Sequence, residues 1–360
     1  MKISRICILI QTLNKGGAEK QSILLAKVLN NEYDVHLVIQ KGRYVHASYH
    51  KFIQDNKIKA LFLNGNIINR LFLFYRFLRK NKIQIIFSYL TSDNLISALI
   101  GRLAGVCYLA GGIRNQYLPV YKRIANLLLL RFFLDCIIIN SRSGLENFVN
   151  RGFPVSKLHV INNCIEINHP FSHRKESSTP VILTAGRFVD QKDYLTAIRS
   201  FYHLKYNLLP ENIKLELIIT GFGEIENEII SWIEEYKLSG CARIINNPPN
   251  IEEYFLNADI YLSTSIFEGL SNSIMEAMSF SLPVVATDAG DNRLLIRNEV
   301  SGFIVPVKAH TEIATKLYEL LSSYEKRIAF GKAGYEIVRT GYSPERFYEN
   351  YRSFINSLSH

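Results

Sequence analysis

Short apolar runs alternate with longer stretches of helical period along the chain. Residues 6–10, 35–39, 60–63, 83–87, 106–109 and 136–139 form a first series of runs, dominated by Ile, Val and Leu. Runs this short and this apolar predict strands buried on both faces, as in a parallel sheet. Between the first two runs stand Ala18, Ser22, Leu25 and Leu29, whose spacing of four, three and four turns one helix face toward such a sheet. After the polar, proline-bounded segment 169–180 the alternation restarts, with runs at 181–185, 215–220, 243–245, 259–263, 284–286 and 303–305. The predicted class is therefore α/β. Two Rossmann-like, doubly wound parallel-sheet domains are expected at residues 1–168 and 181–342, joined by a linker at 169–180 and facing across a cleft that holds ligand. The end of the chain, 343–360, carries Phe347, Tyr348, Tyr351, Phe354 and Ile355 at helical spacing, and predicts a helix packing back toward the first domain.

Composition is that of an ordinary globular protein, 48% hydrophobic and 21% charged over 360 residues. Charge is unevenly shared. Residues 1–170 hold 23 Lys and Arg against 8 Asp and Glu, a balance of +15, whereas the remainder carries −5. A basic half favours anionic partners such as lipid head groups, phosphorylated carriers or nucleic acid. No nucleic-acid-binding motif accompanies the basicity, and composition does not choose between a lipid surface and a phosphorylated carrier. Five scattered cysteines without a C-x-x-C pair exclude a disulfide framework and a zinc site. The start of the chain reads as a first strand, and no run of about 18 apolar residues occurs, so the expectation is a cytoplasmic protein that does not span a membrane. Residues 67–82 are both basic and apolar, a pattern of interfacial helices as well as of core packing, with Leu71, Phe74 and Leu78 inward and Arg70, Lys80 and Lys82 outward. His46 and His50, four apart, lack a third ligand for a metal site.

The residues able to carry chemistry cluster where strands end. Gly16 and Gly17 open the first helix, where bare backbone and free N–H groups favour an anion. The stricter G-x-G-x-x-G is absent, which disfavours a nicotinamide enzyme. Arg187 and Lys192 follow the strand 181–185, where a guanidinium fork and an ammonium can grip a diphosphate. Gly221 and Gly223 read as a glycine turn after the strand 215–220. Next comes E-G-L-S-N-S-I-M-E, with Glu268 at the mouth of a helix over 271–280 and Glu276 five residues beyond Ser271, about 7.5 Å along its axis. Phosphate would rest on the N–H groups of Gly269, Leu270, Ser271 and Asn272, Glu276 on ribose hydroxyls, and Glu268 on those of a sugar.

The combination of GGAE, GRFVDQKDY, GFGE and EGLSNSIMEAMSFSLPVVATDAG resembles the retaining GT-B glycosyltransferases of family 4 over nearly the whole chain. The resemblance implies that Arg187 and Lys192 stabilise the leaving diphosphate, Glu268 touches the transferred sugar, Glu276 binds ribose, and Gly16 and Gly17 close over the donor. It implies that Arg114, followed by Asn115, faces the sugar, that main chain near Asn247 and Ile251 contacts the base, and that neither metal nor cofactor is needed. The implied activity moves a hexose or N-acetylhexosamine from a nucleotide-diphosphate sugar, UDP-sugar favoured, to a glycan or lipid-linked acceptor in bacterial surface polysaccharide synthesis. A sugar-nucleotide 2-epimerase shares the architecture. Two departures stand out: VINNCIEI at 160–167 replaces a P-N-G-hydrophobic-D pattern, and Leu270–Ser271 replaces Phe–Gly.

Overall fold

The computed structural model of the protein describes residues 3–14, 16–171 and 176–358. The chain divides into two compact units, Met1–Cys164 with Pro344–His360 as one and Ile165–Ser343 as the other. Within the expected linker, residues 172–175 lie outside the described residues.

In the first unit β1 (Arg5–Ile10), β2 (Asp34–Ile39), β3 (Lys59–Phe62), β4 (Ile85–Ser88), β5 (Tyr108–Ile113), β6 (Cys136–Ile139) and β7 (Leu158–Val160) make one parallel sheet in the order β3-β2-β1-β4-β5-β6-β7. Ile6, Ile8 and Ile10 enter the core on one side of it, Cys7 and Leu9 on the other, so β1 shows no polar alternation. Helices α1 (Gly17–Leu29) and α2 (Ala47–Asp55) cover the first side. The second side carries α3 (Ile67–Lys80), α4 (Thr91–Ile96, continued by a π turn to Gly101), α5 (Val120–Phe132) and α6 (Arg142–Val149). The C-terminal helix, Pro344–Ser357, joins the first side beside α1, burying Phe347, Tyr351, Phe354 and Ile355.

Several local expectations are corrected. The strand expected at 106–109 runs instead over Tyr108–Ile113, with Gly111 and Gly112 pairing with Ile137 and Ile138 inside β5. The edge strand β7, only three residues long, leaves no run to read. Arg70 does not point outward: its Nη1 donates to the Gln40 carbonyl at 3.0 Å, while Phe74 and Leu78 are buried. His46 caps α2, its Nδ1 accepting from the Ser48 N–H at 3.3 Å, and His50 stacks on Phe62 with ring centroids 5.1 Å apart. Among the described residues no group of three or more His, Cys, Asp or Glu stands together, and no helix is long and apolar enough to cross a membrane.

In the second unit β8 (Val181–Phe188), β9 (Glu216–Gly223), β10 (Ala242–Asn246), β11 (Ile260–Ser263), β12 (Val284–Thr287) and β13 (Gly302–Val305) form a parallel sheet in the order β10-β9-β8-β11-β12-β13. Around it lie α7 (Tyr194–His203), α8 (Glu226–Glu235), α9 (Glu252–Asn257), α10 (Asn272–Ser279), α11 (Asn292–Leu295), α12 (His310–Leu321) and α13 (Tyr324–Gly341). One core joins α7, α8 and α12 to Leu217, Ile219 and Leu262; the other joins α9 and α10 to Leu183, Val284 and Ala286. Strand order reverses between β8 and β11, which pair through Ile182 with Ile260 and Leu183 with Tyr261. Beyond the carboxyl ends of two such strands a doubly wound sheet binds its ligand.

Candidate active site

The loops leaving β8 and β11 at this reversal are stitched together by backbone. After β8 the chain makes one 3-10 turn, Asp190–Lys192, and Asp193 then takes a left-handed conformation at φ 47°. Its carboxylate accepts from the Thr196 N–H at 3.3 Å and from Thr196 Oγ1 at 2.7 Å, which caps α7. From the other loop, Thr264 Oγ1 donates to the carbonyls of Lys192 and Asp193 at 2.9 and 3.0 Å, and the Ile266 N–H donates to Gln191 at 2.9 Å. Asp193 thus fixes the peptide that carries Lys192. Asp193→Ala is expected to lower stability by about 1–2 kcal/mol, from the lost cap and the left-handed backbone, and Asp193→Gly by less because glycine accepts that backbone. Thermal unfolding of the two variants checks the order, and equal losses would remove the argument from backbone.

Lys192 Nζ meets Glu268 Oε1 at 2.5 Å, with side chains only 17% and 10% exposed. The same oxygen accepts from Ser265 Oγ at 2.8 Å, and Gln191 Nε2, which donates to the Phe267 carbonyl at 2.8 Å, reaches Oε2 at 3.4 Å. Three donors therefore hold one carboxylate, and the carboxylate in turn holds the ammonium. The backbone behind it is set by Gly290, at φ 59°, where a β-carbon would stand 2.5 Å from the Glu268 carbonyl. The next N–H, of Asp291, donates to Gly269 at 3.0 Å. Leu270 points into the core, and Ser271 caps α10, its Oγ accepting from the Ile274 N–H at 3.5 Å. First-turn N–H groups of a helix have no partner inside it and carry partial positive charge. An ammonium and a helix start at one switch point form a receptor for an anion, and the adjoining carboxylates can accept from hydroxyls.

Glu276, half-buried one turn into α10, belongs to the same neighbourhood. Burial pushes the Tyr261 hydroxyl well above its ordinary range, and Glu276 and then Glu268 push it the same way. That hydroxyl donates to the Ala185 carbonyl at 3.0 Å, near the end of β8. Tyr194 is also held neutral, chiefly by burial, and its hydroxyl has no partner among the described residues. Arg187 lies within β8 opposite Phe222, exposed and without an ion pair among the described residues, rather than in a turn beyond the strand. Gly221 and Gly223 are likewise corrected: they close β9, opposite Gly186 and Phe188. Asn247 follows β10 at φ 43°, its N–H donating to the Gly221 carbonyl at 2.7 Å, and Ile251 opens α9.

In the first unit Gly16 is the N-cap residue of α1 and Gly17 its first residue, beyond β1 at that sheet's own reversal between β1 and β4. Thr12 Oγ1 donates to Glu19 Oε1 at 3.3 Å in the opening turn. Arg114, just past β5, lays its guanidinium over the Tyr89 ring at 4.1 Å and donates from Nη2 to Tyr351 Oη on the C-terminal helix at 3.4 Å. Its Nε and Nη1 are buried without a partner among the described residues, and half-buried Asn115 follows. Gln191, Thr264 and Tyr351 escape sequence reasoning, being ordinary residue types remote in sequence from the groups they hold, and Ser265, though only three residues before Glu268, carries no signal as a serine in a loop. Asp193 alone carries a readable signal, an Asp three residues before Thr196 at the start of an apolar helix.

Known proteins align with most of this framework. The family model described as Glycosyltransferase Family 4 matches residues 15–169, and that described as Glycosyl transferases group 1 matches residues 166–337. A Campylobacter jejuni relative, N-acetylgalactosamine-N,N'-diacetylbacillosaminyl-diphospho-undecaprenol 4-alpha-N-acetylgalactosaminyltransferase, is 25% identical over 353 residues, 91% of this chain and 93% of the relative. The Escherichia coli UDP-Gal:alpha-D-GlcNAc-diphosphoundecaprenol alpha-1,3-galactosyltransferase is 21% identical over 317 residues, 81% of each chain. Anabaena HepE, crystallised with UDP-glucose, shares the fold at a TM-score of 0.84 and 16% identity over 98% of this chain and 99% of that one. Matched by two successive family models and built on two parallel α/β sheets of GT-B type, the chain belongs to the family 4, or group 1, glycosyltransferases.

Proposed function

We propose that the protein is a retaining hexosyltransferase that moves a hexose or N-acetylhexosamine from a UDP-sugar to a lipid-diphosphate-linked or glycan acceptor in bacterial surface polysaccharide synthesis, working peripherally at the membrane. The observation that carries this reading is the Lys192–Glu268 pair beside the start of α10 at the β8/β11 reversal. Breaking the bond between the anomeric carbon and the diphosphate oxygen sends an electron pair to the diphosphate. Lys192, Arg187 and the first N–H groups of α10 stabilise that charge as it develops. The acceptor oxygen bonds to the anomeric carbon from the same face, and its proton passes to the departing phosphate oxygen. Glu268 orients the transferred sugar, Glu276 the ribose, and main chain near Asn247 and Ile251 the base. Gly16, Gly17, Gly221 and Gly223 allow close backbone approach, while Arg114 and Asn115 face the sugar. Protein cations take the place of a metal ion in this scheme. Relatives named for transfer to diphospho-undecaprenol-linked sugars, among them one named for UDP-Gal, support the donor and acceptor classes.

Thermal-shift measurement with UDP, GDP and ADP in the presence of chelator is the direct test. A ligand at about 100 times its Kd adds roughly 2.7 kcal/mol, which in a domain of this size raises Tm by several degrees, roughly 2–4 °C per kcal/mol. UDP is expected to give the largest shift. Absence of a shift with all three would refute the donor site, and a shift that needs a divalent ion would refute the metal-free scheme. Incubation with UDP-sugars and a sugar acceptor separates transfer, which consumes acceptor, from 2-epimerisation, which does not.

A further inference from the structure

We infer that the face of the first unit built from α3, α4 and α5 docks on the surface of an anionic lipid bilayer. The three helices lie in a row on the sheet side opposite α1 and the C-terminal helix, with the π turn of α4 against α3 and the body of α4 against α5. Their inner faces fill a core through Phe74, Leu78, Ala98, Leu129 and Leu130. Their outer faces, which in a water-soluble domain carry polar side chains, carry apolar ones at four-residue spacing instead: Ile68 and Phe72 on α3, Leu99 and Leu103 at the end of α4, Leu128 and Phe132 on α5. Phe72, Leu103 and Phe132 are 57%, 71% and 67% exposed. Apolar exposure repeated over three adjacent helices marks an interaction surface rather than scattered surface residues.

Charge decides the occupant. Residues 67–135 contain ten Lys and Arg, of which Arg70 and Arg114 turn inward, against two acids, Asp93, which is buried, and Asp135, which pairs with Arg102 at 2.7 Å. Cations border the apolar stripes: the Arg76 guanidinium lies 5.7 Å from the Phe72 ring and that of Arg131 5.9 Å from the Phe132 ring, while Arg79 and Lys80 stand exposed at the end of α3. Apolar rings level with a border of long cationic side chains match the acyl boundary and anionic head groups of a bilayer surface. A second copy of the chain fits poorly, because a two-fold contact would set these cations against one another. The depth is that of an interfacial contact, since no described helix is long and apolar enough to span.

This inference rests on the lipid-linked-acceptor reading only for its purpose, and its test is independent of catalysis. The full chain is floated with vesicles of phosphatidylglycerol and phosphatidylcholine in equal parts, and with phosphatidylcholine alone. Co-flotation is expected with the anionic vesicles, weakening in about 1 M salt, where the Debye length falls to about 3 Å. The variant Phe72→Ser/Leu103→Ser/Phe132→Ser, altered only at exposed positions, is expected to bind at least roughly tenfold more weakly with an unchanged UDP thermal shift. Arg76→Glu/Arg131→Glu is expected to lose the preference for anionic lipid. Flotation of the triple variant at the wild-type level, no flotation of the wild type, or a wild-type dimer that the triple variant dissolves would each overturn the inference. The UDP shift in the same samples shows separately whether the donor site stands.

Discussion

Lys192→Ala is expected to lower turnover by roughly 10²- to 10³-fold, the usual loss for one preorganised group that stabilises charge developing in the transition state. The ammonium is placed for such a role before substrate arrives. Its peptide is locked by Thr264 and Asp193, and its head is held at 2.5 Å by a carboxylate that Ser265 also engages. Little reorganisation is then needed as the diphosphate takes up charge. Because that charge grows along the reaction, kcat falls more than KM rises. Losing the cation also leaves Glu268, a largely buried carboxylate, with only Ser265 and Gln191 beside it, so the variant loses some stability as well. Folding must be measured alongside rate. Glu268→Gln keeps the shape and the Ser265 contact while removing the charge, and is expected to lose turnover comparably. The double variant should lose far less than the product of the two single effects, since the pair acts as a unit. Near-normal kcat in folded Lys192→Ala would remove it from the reaction.

The lattice of strands was legible because parallel strands buried on both faces leave a signature of continuous apolarity, as at Ile6, Ile8 and Ile10 beside Cys7 and Leu9. Errors fell where glycine stands inside a strand. Gly221 and Gly223 read as a turn yet pair as strand residues, because close approach between strands selects glycine as strongly as a turn does. The identities of Lys192 and Glu268 were readable, but their union was not. They are 76 residues apart, and only the return of β11 beside β8 brings the two loops together. The same holds for Arg114 and Tyr351, 237 residues apart, where the helical period of the tail was visible but its target was not. Arg70 misled for a different reason: periodicity gives the direction of a side chain from its helix, but not the reach of a long one that folds back to a carbonyl.

Gly221→Ala should be among the most destabilising single-methyl additions available to the second unit. Gly221 lies at φ 158°, outside the range an alanine adopts readily, and its β-carbon would stand 1.8 Å from the Gly186 carbonyl oxygen and 2.9 Å from Phe188 Cε1. Relief by a shift of backbone is blocked from both sides. Gly186 is paired with Gly221 in the β8–β9 ladder, and on the other side the Gly221 carbonyl accepts from Asn247 at 2.7 Å. Backbone strain of about 1–3 kcal/mol and overpacking of about 1–3 kcal/mol act together, so a loss near 3–4 kcal/mol is expected. At roughly 2–4 °C per kcal/mol for a unit of this size, the midpoint falls by about 10 °C. Gly240→Ala is the matched control, since a β-carbon there meets nothing within 4 Å. It is expected to leave stability within about 0.5 kcal/mol of the parent, as surface substitutions usually do. If the two variants melt together, the β8–β9 contact is looser than a fixed backbone clash requires, and Gly221 is free to serve ligand approach alone. If Gly221→Ala melts early while UDP still restores several degrees, the glycine is needed first by the sheet, and the donor site inherits a surface that strand packing had already bared.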